Sequence, residues 1–319
     1  MQNLPDKPSV AVVGTLTRDT TLYADGSRSE NLGGTHYSLL TLAHLFGGRA
    51  RILPVANVGA DAYDDVLAAL DVRGIDPSLL RRVPHPNNHV YLTYKDREER
   101  EEILKGLVPP VGFEHLAAAA DADWIIVNLT SGRDVELETL EALRRGGVRT
   151  LQLDVHSLTL GFAEGGRRVL EKPQSWQRWI ACADWVQMNE TEARLLGDDE
   201  PLDDFALRLL GLGARGVLIT LGSQGCLGVW QGRVRHSRRL PAAQTPQRAY
   251  PTGCGDVFGA SFAYAMLEGA GAEAALRFAN AAAGAKACRE PYGELRRLRT
   301  LVAHELETLV PQKTRLRRR

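Results

Sequence analysis

Six short apolar runs recur along this chain, at Ser9 to Val13, Arg51 to Val58, Trp124 to Asn128, Thr150 to Val155, Trp185 to Met188 and Gly216 to Leu221. Runs such as SVAVV and WIIVN are apolar at consecutive positions, the pattern of strands covered on both faces. Segments with helical spacing lie between them, at 35–46, Asp61 to Arg73, Glu136 to Arg145, Trp176 to Ala183, Glu190 to Leu196 and Phe205 to Leu212. Gly47-Gly48 mark the end of the first of these helices. Parallel strands need a crossover, and helices packed on both faces of the sheet supply it. The expected fold is therefore α/β, a doubly wound, mostly parallel sheet flanked by helices. The C-terminal part reads as mostly helical, at 256–268, 272–288 and 297–309.

Two segments depart from that rhythm. Residues 15–35 are polar, with scattered Thr and Tyr, and HVYLTY within 87–106 alternates like a half-exposed strand before the charged DREEREE. The second segment resembles an antiparallel flap more than a buried parallel strand. The whole of 1–319 is read as one unit, since α/β folds often exceed the ~150 residues of an average domain. The basic run that closes the chain, within 311–319, reads as a solvated end.

Composition narrows the function. Hydrophobic residues make up 44% and charged residues 24%, enough to bury a large core. Lys+Arg and Asp+Glu number 39 each, so no excess positive field points to a nucleic acid or a membrane surface. No apolar run approaches the ~20 residues of a membrane span, and the N-terminus shows no basic region followed by an apolar stretch. The four cysteines, 182, 226, 254 and 288, form no CxxC pair; so few in so long a chain fit a reducing compartment. The expectation is a cytoplasmic protein.

The chemistry concentrates in Pro251-Thr252-Gly253-Cys254-Gly255-Asp256, ahead of the apolar helix VFGASFAYAML. Small residues leave backbone N–H groups unobstructed. The first N–H groups of a helix lack intrahelical partners, and the helix dipole adds positive potential. Together they make an anion cradle suited to a phosphate in transfer. An Asp at its mouth is placed to take a proton from a hydroxyl beside the phosphate. The same string could equally be a capping loop, because Asp is a common N-cap.

This hexapeptide resembles the signature of the ribokinase-like, or PfkB, kinases of sugars and nucleosides. Other stretches resemble the family's motifs in the family's order: Gly14 to Asp19, Gly33-Gly34 before a helix, Val58-Gly59-Ala60-Asp61, Asn189-Glu190-Thr191-Glu192, and Thr220 to Gly225. The resemblance implies a small β-sheet lid, here at about 15–35 and 87–106. It also implies transfer of the γ-phosphoryl of ATP to an alcohol with Mg²⁺. On that resemblance Asp256 is the base and Gly253, Cys254 and Gly255 form the anion hole. Asn189 and Glu192 organise phosphates and the metal's water shell, and Thr220, Gly222 and Gly225 border the nucleotide. Asn280 and Gly293 lie near the adenine. Asp19, Gly33, Gly34 and Ser38 face the acceptor, which is a sugar, sugar acid, inositol or nucleoside.

Two positions depart from the family. Its signature usually begins with an Asp that helps a monovalent-cation site, and Tyr250 stands there instead. A phenol supplies no carboxylate, which argues against potassium activation. Ser38 stands where relatives often carry Asn. These departures motivate a second reading, a binding or regulatory protein on the same fold. The third reading, a nicotinamide dehydrogenase, is disfavoured, because VAVVGTLTRD offers one glycine where G-x-G-x-x-G is needed. A lid with an open strand edge would also suit pairing with a second copy of the chain.

Overall fold

The computed structural model describes residues 7–94, 100–243, 250–288, 297–300 and 302. The chain opens with strand β1 (Ser9–Val13), the hairpin β2 (Leu16–Leu22) and β3 (Arg28–Gly34), and helix α1 (His36–Phe46). Strand β4 (Arg51–Gly59), α2 (Tyr63–Ala69) and β5 (Leu80–Val83) follow, then a second hairpin, β6 (His89–Tyr94) and β7 (Arg100–Lys105). The middle of the chain runs α3 (Phe113–Ala117), β8 (Trp124–Asn128), α4 (Leu137–Arg145), β9 (Leu151–Asp154), the short pair β10 (Leu160–Phe162) and β11 (Arg168–Leu170), and α5 (Trp176–Ala181). Strand β12 (Trp185–Asn189), α6 (Glu190–Gly197), α7 (Leu202–Gly211), β13 (Gly216–Thr220), β14 (Cys226–Gln231) and β15 (Arg235–Leu240) lead to α8 (Cys254–Leu267) and α9 (Ala272–Ala287).

The main sheet has nine strands in the order β15-β14-β13-β12-β9-β8-β1-β4-β5. From β13 to β5 every pairing is parallel, and β14 runs antiparallel to both its neighbours. Alternate residues of the inner strands enter two separate cores. Val10 and Val12 of β1 pack with α1, α8 and α9, while Ala11 and Val13 pack with α4, α5, α6 and α7. That two-faced burial is why the strands read as continuous apolar runs. Helix α8 is buried nearly all round and crosses the sheet closely at Gly259, where a Cβ would strike the Gln187 side chain.

The two irregular segments meet as a separate four-stranded sheet, order β3-β2-β6-β7, standing beside the main one. β2 pairs with β3 and β6 with β7 antiparallel, but the central pair β2–β6 is parallel. The sheet thus joins two hairpins side by side, and the flap expected within 87–106 is the antiparallel pair β6–β7. Residues 95–99 between β6 and β7 lie outside the described residues.

Most apolar runs fold within one or two residues of their expected ends. The expected helix 61–73 is shorter, because Val72 bonds back to Leu70 and the chain turns toward Gly74. Strands β14 and β15 were not expected. RHSRRL is almost wholly exposed on an edge, so no apolar period announces it. Of the expected helix 297–309 only 297–300 and 302 are described, and the basic tail lies beyond them.

Candidate active site

A parallel sheet of this kind delivers its strand ends to one rim, and binding clefts form outside those carboxyl ends. Asn128, Asp154, Asn189 and Thr220 are the last residues of β8, β9, β12 and β13. The N-terminus of α8 reaches the same rim from one side and the four-stranded sheet overhangs it from the other. Between them lies a cavity of about 660 Å³, lined among others by Asp19, Asp154, Glu192, Gly225, Gly255 and Asp256. Its size suits a nucleotide together with a small second molecule.

Gly253 precedes α8 in the left-handed region, φ 80°. A side chain there would be strained, and its Cβ would come 2.5 Å from the Tyr37 ring. The Cys254 N–H donates to the Pro251 carbonyl at 3.0 Å, so this member of the expected anion hole is engaged within the loop. Gln187 Nε2 donates to the Gly255 carbonyl at 2.9 Å, which fixes the first turn of α8 to β12. Burial pushes the Cys254 thiol up to about 11; it is a neutral filler of a small slot, not a thiolate nucleophile.

Asp256 is 9% exposed, in the first turn of α8. Asn128 Nδ2 donates to its Oδ1 at 2.5 Å. Burial pushes its carboxyl up from 3.8 to about 7. The Asn128 bond and Lys286 work against that rise, and Asp19 adds to it. A carboxyl poised near neutrality can both accept and release a proton under ordinary conditions.

The NxxE stretch forms a capping box at the start of α6. Asn189 Oδ1 accepts the Glu192 N–H at 2.9 Å, and Glu192 Oε2 accepts the Asn189 N–H at 2.8 Å. Glu192 is nevertheless only 8% exposed, and its carboxylate edges the cavity. Burial first, then Glu192 and Asp256, push the Asp154 carboxyl well above its usual range. A cation bound at this rim would relieve the repulsion that Glu192 and Asp256 exert on Asp154. Among the described residues no group of three or more His, Cys, Asp or Glu is arranged to hold a metal directly.

Thr220, Gly222 and Gly225 line the same cavity beyond Glu192. Gly222 and Gly225 have φ of 55° and 97°, and a Cβ on Gly225 would strike the Leu240 carbonyl. Asn280 Nδ2 donates to the Pro241 carbonyl at 2.8 Å, tying α9 to the chain after β15. Gly293, expected beside these residues, lies outside the described residues.

On the opposite wall, Asp19 of β2 accepts a hydrogen bond from Thr17 Oγ1 at 2.6 Å. A Cβ on Gly33 would collide with its carboxylate, so the bare backbone of β3 is what makes room for Asp19. Gly34, φ 61°, lines the cavity. Ser38 differs from expectation. It is 1% exposed, and its hydroxyl donates to the Asp256 carbonyl at 3.5 Å, behind the acid rather than on the cavity wall. Val90, Leu92 and Glu102 of the small sheet close the cavity from above. Tyr23 stacks on Tyr94, and Tyr91 on His89; Tyr37 alone of these tyrosines lines the cavity.

Sequence reasoning missed Asn128, Gln187 and Lys286, and had no geometry for Asp154. Asp154, beside a strand end, is a candidate for the edge of the pocket from sequence, and the same signal is present at Asn128, which ends the run Trp124 to Asn128.

Residues 166–293 match the pfkB family of carbohydrate kinases. Ribokinase of Arabidopsis thaliana is 27% identical over 304 residues, covering 86% of this chain and 75% of the relative. Cytidine kinase of Thermococcus kodakarensis is 27% identical over 260 residues, 79% of this chain and 86% of the relative. The solved structure of Arabidopsis thaliana ribokinase complexed with ribose and ATP superposes with a TM-score of 0.71 at 22% identity, over 93% of this chain and 98% of that one.

Proposed function

The chain belongs to the ribokinase-like pfkB family of carbohydrate kinases, and on that premise we propose that it moves the γ-phosphoryl group of MgATP to a hydroxyl of a small polyhydroxylated acceptor. The acceptor class is a sugar, sugar acid, inositol or nucleoside. The observation that carries this reading is Asp256, a buried carboxyl poised near neutrality at the mouth of α8, with Asp19 across the cavity.

Asn128 occupies one oxygen of Asp256 and leaves the other for the acceptor hydroxyl. As the acceptor oxygen bonds to phosphorus, its proton passes to Asp256, the bond from phosphorus to the β,γ-bridging oxygen breaks, and ADP leaves. The N-terminus of α8, with the Gly253 and Gly255 N–H groups, receives the negative charge on the transferring group. Asp19 holds the acceptor through its hydroxyls. Thr220, Gly222 and Gly225 border the nucleotide, with Asn280 near its base. Asn189 and Glu192 orient the phosphates and the water shell of Mg²⁺, which when bound neutralises phosphate charge. The small sheet acts as a lid that keeps water from the phosphoryl group. Its outer strand β3 ends that sheet, and we carry this edge as a pairing surface for a second copy. Light scattering that gives a mass of 34.9 kDa at working concentration would remove the dimer.

The deciding experiment is ADP release from MgATP against pentoses, hexoses, sugar acids, inositols and nucleosides, with Asp256→Asn protein alongside. Turnover with one class, lowered ~10²–10⁴-fold in the variant as befits a positioned base, assigns activity and acceptor together. Wild-type rate in the variant removes Asp256 from the reaction. Silence across the panel with ATP bound favours the ligand-binding reading, for which Tyr250 and the buried Ser38 speak.

A further inference from the structure

A buried ammonium lies behind the glycine loop, and the scheme above does not use it. Lys286, in the last turn of α9, is 3% exposed and is the one buried lysine among the described residues. The chain uses lysine sparingly, six against 33 arginines. Its Nζ donates to the Tyr250 carbonyl at 3.1 Å and sits 5.7 Å from the centre of the Tyr37 ring. The same carbonyl accepts Cys254 Sγ at 3.4 Å, and the Tyr250 N–H donates to the Ala287 carbonyl at 2.9 Å. Residue 250 is thereby tied to the end of α9 and to the start of α8 at once. Tyr37 completes the wall, because its ring lies against Gly253. Burial pulls the Lys286 ammonium below its ordinary range, while Cys254 and Asp256 push the other way.

We propose that Lys286 is a tethered monovalent cation: its ammonium holds the Tyr250–Gly253 loop in its anion-receiving shape and places positive charge behind the phosphoryl group, so that no free potassium or ammonium ion is needed there. A backbone carbonyl such as that of Tyr250 is a natural ligand of a small monovalent cation. A lysine ammonium is a compact point charge that can take the same place against the Tyr250 carbonyl. Lys286 acts through the loop and is a positioning residue. This inference rests on the phosphotransferase reading.

The test measures turnover of the wild type in potassium, sodium and choline chloride at equal ionic strength, then of K286M and K286R, with melting temperatures in the same salts. Wild-type kcat and melting temperature are expected to be the same in all three. K286M is expected to lose roughly ten- to hundredfold in kcat, below the ~10²–10³ of deleting a direct oxyanion donor, with acceptor KM little changed. Potassium, but not choline, should restore part of that loss, and K286R should retain more rate than K286M. A wild type that requires potassium overturns the proposal. So does K286M with wild-type kcat, or with a loss that neither small cations nor arginine repair. Should K286M not fold, the wild-type salt series and K286R decide by the same criteria. If the wild type shows no turnover on any acceptor, the kinase reading fails separately and melting decides. A potassium-specific rise in the wild type then counts against the tethered cation, and a rise confined to K286M supports it.

Discussion

Asp256 faces Asp19 of β2, Asp154 of β9 and Lys286 of α9, and its proton affinity is the balance of these charges with its burial and the Asn128 amide. A base must be ionised to act, so kcat/KM should fall about tenfold per pH unit below an acid limb near 7. Asn128→Ala removes a hydrogen bond that favours the carboxylate, and the limb in a pH–rate profile should move upward. The same shift has a sign for stability. The folded carboxyl binds its proton more tightly than the ordinary 3.8, so folding is favoured at low pH and that advantage is lost as pH rises toward about 7. The gap is worth on the order of 4 kcal/mol at full burial. Asp256→Asn should therefore melt higher than the wild type at pH 8 while losing turnover. A variant that melts lower there would mean the native carboxylate is better stabilised than its surroundings indicate.

At the scale of elements, motifs that are short in sequence turn out to be local backbone devices whose by-product is an aimed side chain. The capping box of α6 satisfies the helix start and in the same act holds Glu192 at the cavity rim. Its residues were legible through the resemblance of Asn189 to Glu192 to a family motif, and the cap they form needs only neighbours along the chain. Asn189→Ala should cost about 1 kcal/mol in denaturant unfolding and raise KM for ATP more than for the acceptor. The β2–β3 hairpin works similarly: Gly33 is bare so that Asp19 can lie across it. Gly33→Ala should displace Asp19 and raise acceptor KM severalfold while ATP KM stays near its wild-type value, as steady-state kinetics with each substrate varied will report. Strand β15 was illegible for the opposite reason, since RHSRRL on an exposed edge leaves no apolar period to read, whereas β14 (CLGVWQ) is buried between β13 and β15 and its apolar run went unread.

At the scale of the whole molecule, the cavity is closed by a sheet with few strands over a sheet with many. Hydrogen exchange in β2, β3 and β6 should slow when the acceptor binds, while β1, β8 and β12 stay protected throughout. The alternation of apolar runs and helical segments, the two departures from it, and the order of the glycine motifs were all fixed by residues close together in the chain. Strand burial, helix period and left-handed glycine turns are properties of neighbours, and they can be read without knowing what lies opposite. Only the tertiary structure decided which groups face one another. Asn128 meets Asp256 across 128 positions, Lys286 meets Tyr250 across 36, and Ser38 turns from the cavity toward the back of α8. The crossovers that bring strand ends to one rim set those distances, and burial and charge at that rim set how tightly each acid holds its proton. Such quantities depend on contacts between distant segments, so no local pattern records them.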